Sequence, residues 1–120
     1  MKNDIKLSYL PIEDKLIEIQ TIGDFLDKTP VLVLLHEGLG SISMWKEIPK
    51  LIHEKTNLNI LTYSRFGYGK SSKTNLPRPL NYMTIEAEKY LPIILKKLSI
   101  TKYFLIGHSD GATIAALGSL

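Results

Sequence analysis

The chain has 120 residues, 44% of them hydrophobic and 22% charged, with a formal net charge of +3 and no cysteine. Its length allows one domain at most with a modest core, and its mean hydropathy of +0.02 excludes both a disordered and a membrane-embedded chain. Without cysteine there is no disulfide, no zinc–thiolate site and no thiol nucleophile.

Met1 to Lys6 mixes charges and lacks the apolar block of a secretory signal, so a cytoplasmic location is expected. Lys6–Leu10 and Leu16–Ile22 are short β-prone runs around Pro11-Ile12-Glu13-Asp14, the pattern of an antiparallel hairpin. Val31–Leu35 is apolar without alternation, as in a strand buried on both faces of a parallel sheet. From Ser43 to about Glu54, Trp45, Ile48, Leu51 and Ile52 recur at helical spacing, with Ser43 as N-cap and Pro49 kinking or restarting the helix. Asn59–Tyr63 is a second buried strand, and Phe66–Gly69 a glycine-rich turn. A loop follows over Lys73–Asn81, with Pro77 and Pro79 just before and within its second half.

A helix from about Thr84 to Leu98 shows one face of Leu91, Ile94, Leu95 and Leu98, with a bend expected at Pro92. Lys96-Lys97 sits where cations favour the C-terminal end of the helix dipole. Lys102–Ile106 is a third buried strand, and a helix of small residues begins at Asp110. The alternation of strand and helix after the hairpin predicts an α/β fold: a mostly parallel sheet with helices on its faces and right-handed crossovers.

Two segments carry chemistry. Gly107-His108-Ser109-Asp110-Gly111 fits G-x-S-x-G between an apolar strand and a helix. That context is a nucleophile elbow, where a strained turn lifts a serine hydroxyl clear of the sheet and glycines two residues either side let strand and helix pass closely. His36-Glu37-Gly38-Leu39-Gly40-Ser41 follows the first parallel strand, and its glycines let a backbone N–H aim at a developing oxyanion. The N–H of Asp110, at the start of the last helix, would be the second donor.

With these segments, the arrangement resembles the N-terminal half of an α/β-hydrolase-fold enzyme of the esterase, lactonase and proline-iminopeptidase-like kind. A third match is Ser64-Arg65-Phe66-Gly67-Tyr68-Gly69-Lys70-Ser71, similar to the superfamily's D-x-R-G-x-G-x-S turn, with Ser64 and Phe66 departing from it. By that resemblance Ser109 would be the acylated nucleophile, and the N–H groups of Gly38 and Asp110 would form the oxyanion hole. Glu37 departs from the usual H-G start of the oxyanion loop. Serine at the elbow argues against the branches that place aspartate there, the epoxide hydrolases and haloalkane dehalogenases. The expected activity is therefore acyl transfer on an ester, lactone or amide-type bond of a small-molecule substrate, with no cofactor.

Other readings are weaker. Gly69-Lys70-Ser71 ends like a phosphate-binding P-loop, but Ser64 stands where the pattern needs glycine. His36, His53 and His108 lack metal-ligand spacing, and His53 is expected on a helix surface. The lysines are scattered rather than clustered, so no nucleic-acid partner is expected. In this fold the triad acid and histidine follow the serine, and neither occurs between Gly111 and Leu120. The chain is thus expected to be the N-terminal portion of one domain, residues 1–120, without the cap and C-terminal half and with little turnover by itself. Lys102–Ile106 would then be an open sheet edge through which the chain could self-associate. A non-catalytic interaction module that keeps the hydrolase scaffold is the alternative.

Overall fold

A computed structural model describes residues 5–26, 28–37, 40–74 and 81–119. Strand β1 (Ile5–Ile12) turns at Glu13, whose φ is 57°, into β2 (Lys15–Ile22), and the two pair antiparallel from Ile5↔Ile22 to Ile12↔Lys15. β2 continues the sheet by pairing antiparallel with β4 (Asn59–Ser64), Ile19 opposite Tyr63. β3 (Val31–Leu35) lies parallel to β4 on one side and to β5 (Tyr103–Gly107) on the other. The order is β1-β2-β4-β3-β5, so the expected hairpin and parallel strands form one sheet.

The sheet is covered on both faces, which is why β3 reads as an unbroken apolar run. Val31, Val33 and Leu35 point into one cluster with Leu61, Tyr63, Leu91, Ile94 and Ile114. Leu32 and Leu34 point the other way, onto Ile22, Ile60 and Trp45. Each fully buried aliphatic side chain contributes roughly 1.5–3 kcal/mol against leaving it in water.

Two helices differ from expectation. Residues Ser43 to Glu54 do not form one helix: Ile42–Trp45 is a 3-10 turn, Lys46 has φ 52°, and α1 runs from Ile48 to Thr56. Pro49 decides this, because a residue without an N–H fits only the first helical turn. Ser43 is therefore inside the 3-10 turn rather than an N-cap, and Ile48 and Leu51 are exposed. His53, expected at the surface, is 2% exposed, and its Nδ1 donates to the Leu58 carbonyl at 2.6 Å.

The second difference concerns the helix containing Pro92. It comprises α2 (Tyr82–Ile85), a π-helical stretch over Glu86–Tyr90, and α3 (Leu91–Lys97). Pro92 cannot donate to the preceding turn and its ring crowds the carbonyl there, so the widened turn upstream takes up the mismatch. Leu91, Ile94 and Leu95 are buried as the spacing predicts, and Lys96 and Lys97 occupy the last turn. Pro77 and Pro79 lie outside the described residues. Among the described residues no helix is long and apolar enough to cross a membrane.

Candidate active site

The C-terminal ends of β3, β4 and β5 bring the three motif segments together. At the end of β5 the chain turns through Ser109, whose φ of 57° and ψ of −117° no β-carbon-bearing residue adopts without strain, and enters α4 (Asp110–Gly118). Ser109 is exposed and its hydroxyl makes no capping bond to α4. The turn is held by backbone bonds: His108 N–H to Leu35 O at 3.1 Å, Gly111 N–H to His108 O at 3.0 Å and Ala112 N–H to Ser109 O at 2.8 Å.

Both elbow glycines are sterically required. A β-carbon at Gly107 would lie 2.0 Å from the Gly111 carbonyl oxygen, and one at Gly111 would lie 2.0 Å from the Leu35 carbonyl oxygen. This close approach lets α4 start directly above β3 and β5. Asp110 occupies the first turn of α4, where helix N–H groups have no partner within the helix and the dipole is positive.

Beside the elbow, Glu37 anchors the loop after β3. Its carbonyl accepts from His36 Nδ1 at 2.6 Å, Gly40 N–H at 3.1 Å and Arg65 Nη2 at 3.2 Å. His36 is fully buried, and its Nε2 accepts from Arg65 N–H at 3.1 Å, so the ring carries its proton on Nδ1. The ring also packs edge-on to Tyr68, 4.8 Å between centroids. His36 therefore ties the loop after β3 to the turn after β4, a loop-orienting role. Gly38, the second expected oxyanion donor, lies outside the described residues, as does Leu39.

The turn after β4 is built by its serines. Ser71 Oγ donates to the Ser64 carbonyl and accepts from Glu18 N–H, the latter at 2.7 Å. Ser64 Oγ donates to Glu18 Oε1 at 2.9 Å and accepts from Ile42 N–H at 3.0 Å. Ser64 thus bridges two segments where the family pattern has aspartate. No helix starts at Lys70-Ser71, so the P-loop geometry is absent.

Two polar residues that sequence reasoning did not single out, Tyr82 and Arg65, join the site. Tyr82, at the start of α2, donates its hydroxyl to the Asp110 carboxylate. Burial, then the Asp110 hydrogen bond, push the Tyr82 phenol well above its usual range, and Arg65 opposes them. Arg65 is fully buried, and its guanidinium lies 5.5 Å from the Tyr68 ring. Tyr63 beneath it is raised as well, by burial first and then by Glu86. Tyr82 and Asp110 are 28 residues apart, so no local pattern announces their contact.

His108 Nδ1 lies 3.6 Å from Glu37 Oε2 at an exposed position. Among the described residues no imidazole is hydrogen-bonded to Ser109, and no group of three or more histidine or acidic side chains could hold a metal.

A family model described as the alpha/beta hydrolase fold matches residues 30–117. The chain is 28% identical over 109 residues to a proline iminopeptidase of Lactobacillus delbrueckii subsp. lactis, covering 91% of this chain and 37% of that protein. It is 36% identical over 94 residues to the sn-1-specific diacylglycerol lipase ABHD11 of Danio rerio, covering 78% of this chain and 28% of that one. Its fold matches MGS-M2, an alpha/beta hydrolase enzyme from a Medee basin deep-sea metagenome library, with a TM-score of 0.80 and 27% identity over 93% of this chain and 38% of that one. The chain thus spans about a third of the length of these relatives.

Proposed function

We propose that this chain, which belongs to the α/β-hydrolase fold family, carries the nucleophile of a serine hydrolase that transfers acyl groups from ester, lactone or amide-type bonds of small molecules. The observation that carries the reading is Ser109: an exposed hydroxyl on a positive-φ turn between β5 and α4, with both flanking glycines sterically required. In this reading Ser109 Oγ attacks the carbonyl carbon, its proton passes to a base, and the oxyanion accepts the N–H of Asp110 and of Gly38. Collapse of the intermediate breaks the bond to the leaving group, which takes that proton, and water later releases the acyl group. The base and its orienting acid lie outside these 120 residues, because His36 is committed to the loop and His108 to Glu37. Without that base the chain alone turns over little substrate. The matched relatives are named as peptidase and lipase, which favours an enzyme lineage over a non-catalytic scaffold.

Selective phosphonylation tests this. A fluorophosphonate reagent, with imidazole added as the missing base, should mark Ser109 in peptide maps far ahead of Ser41, Ser43 or Ser72, and Ser109→Ala should abolish the adduct. Equal modification of all exposed serines would remove the basis for calling Ser109 a nucleophile.

A further inference from the structure

Asp110 brings two opposed groups to the start of α4. Among the N–H groups there, that of Gly111 donates to His108 O, and those of Ala112 and Thr113 donate to Ser109 O. The Asp110 N–H makes no such bond among the described residues, so it is the donor left for an oxyanion. The carboxylate of the same residue is its natural competitor. Aspartate side chains readily accept from their own or a neighbouring backbone N–H. A carboxylate folded back in that way would occupy the donor and set a like charge beside the oxyanion.

The structure turns this carboxylate the other way. Asp110, Ile114 and Gly118 follow at intervals of four residues and share one face of α4. That face meets the helical segment running from Tyr82 to Lys97. Gly118 faces Leu91 and Ala87, and Ile114 is buried in the cluster that holds both. At the head of the same face the Tyr82 hydroxyl donates to Asp110 Oδ2. No lysine, arginine or histidine pairs with Asp110 among the described residues, so Tyr82 is what holds its carboxylate. The apolar packing further along fixes the spacing of the two helical segments and keeps the hydroxyl within reach.

We propose that Tyr82 is a positioning residue of the acyl-transfer site: it holds the Asp110 carboxylate on the α2 side and so keeps the Asp110 N–H open to the oxyanion. This role rests on Ser109 being the nucleophile. Tyr82 acts through Asp110 and not on the reacting atoms. The consequence has a sign that mere loosening of the fold would not produce: once Tyr82 is gone, removing the carboxylate should speed the reaction.

Phosphonylation kinetics on the 120-residue chain, with imidazole as base, read this. Ser109 Oγ forms the bond to phosphorus, fluoride leaves, the proton passes to imidazole, and the phosphoryl oxygen stands where the oxyanion would. Losing an oxyanion donor outright costs about a hundredfold or more, and sharing it with a carboxylate should slow Tyr82→Phe about tenfold. Tyr82→Phe/Asp110→Ala keeps the N–H at position 110 without a carboxylate, and should recover most of that loss. Amide NMR gives a second reading that needs no substitution to begin with. In the parent the Asp110 N–H should exchange with solvent like an unprotected amide, and in Tyr82→Phe it should shift downfield and exchange more slowly. Labelling of the parent that does not single out Ser109 overturns the nucleophile reading, and this role with it. Selective labelling of Ser109 in the parent, with an unchanged Tyr82→Phe rate or no recovery in the double variant, overturns the role of Tyr82 alone. A protected Asp110 N–H in the parent does so equally.

Discussion

Replacing Gly111 by alanine puts a methyl group where the structure holds backbone. The new β-carbon would stand 2.0 Å from Leu35 O, 2.6 Å from Leu35 C and 2.7 Å from His36 O, whereas real β-carbons essentially never approach within 3.0 Å. The atoms in the way belong to the backbone of β3 and the residue after it, so no rotamer change relieves the clash. α4 must lift from the sheet by about 1 Å, loosening the fully buried Ile114 and tilting the Ser109 turn. Overpacking of this kind costs about 3 kcal/mol, against a helix-propensity gain of at most about 1 kcal/mol. Gly118 in the same helix is the internal control. A β-carbon there meets the Leu91 Cδ2 methyl at 3.0 Å, the far end of a flexible side chain, so Gly118→Ala should stay within about 1 kcal/mol of the parent. Trp45, the sole tryptophan and 8% exposed, reports unfolding by its fluorescence. With a urea slope of about 1.5 kcal/mol/M for a chain of this size, the two midpoints should separate by about 1 to 2 M. Coincident midpoints for Gly111→Ala and Gly118→Ala would show that the elbow glycines are not needed for close packing.

Two further outcomes follow from side-chain hydrogen bonds. Tyr82→Phe removes the donor to Asp110 and should cost about 1–2 kcal/mol at neutral pH by urea unfolding. The folded-state Tyr82 phenol is raised above its ordinary 10.0, so the folded chain holds a proton that the unfolded chain releases. That contribution is complete below pH 10 and is lost as pH rises further, so alkaline destabilisation should be shallower in Tyr82→Phe than in the parent. His53→Ala strips the Leu58 carbonyl of its donor and leaves a cavity under Gly23, costing about 2–3 kcal/mol, whereas a surface histidine would cost almost nothing.

What could be read along the chain was whatever is encoded within a few residues. The unalternated apolar run of β3 means burial on both faces, and the structure places Val33 and Leu34 in opposite clusters. Gly107 and Gly111 around Ser109 mean a sharp strand-to-helix passage, because a missing β-carbon is a local property with one steric use there. Pro49 marks a helix restart because its missing N–H fits only the first turn, one of the two outcomes expected for it, whereas the separate 3-10 turn before it was not legible from spacing. Pro92 announced a bend, but not that the bend would be a π-helical stretch upstream, since how a helix absorbs a lost bond depends on what packs against it.

The rest belongs to the tertiary structure. Helical periodicity could not tell that His53 turns inward to the Leu58 carbonyl, because a histidine suits either side of a helix and its neighbours decide. Tyr82 carried no signal in the sequence, and Arg65 stood in the matched Ser64–Ser71 turn without a role of its own. They become part of the site because the sheet order sets β4 beside β3 and α2 beside α4, carrying a hydroxyl to Asp110 and a guanidinium to the Glu37 carbonyl. Steric and hydrogen-bonding rules act within a turn or two of chain and are written in adjacent residues. Contacts between distant segments exist only after apolar burial has fixed which faces meet, and that selection is made by the whole fold at once.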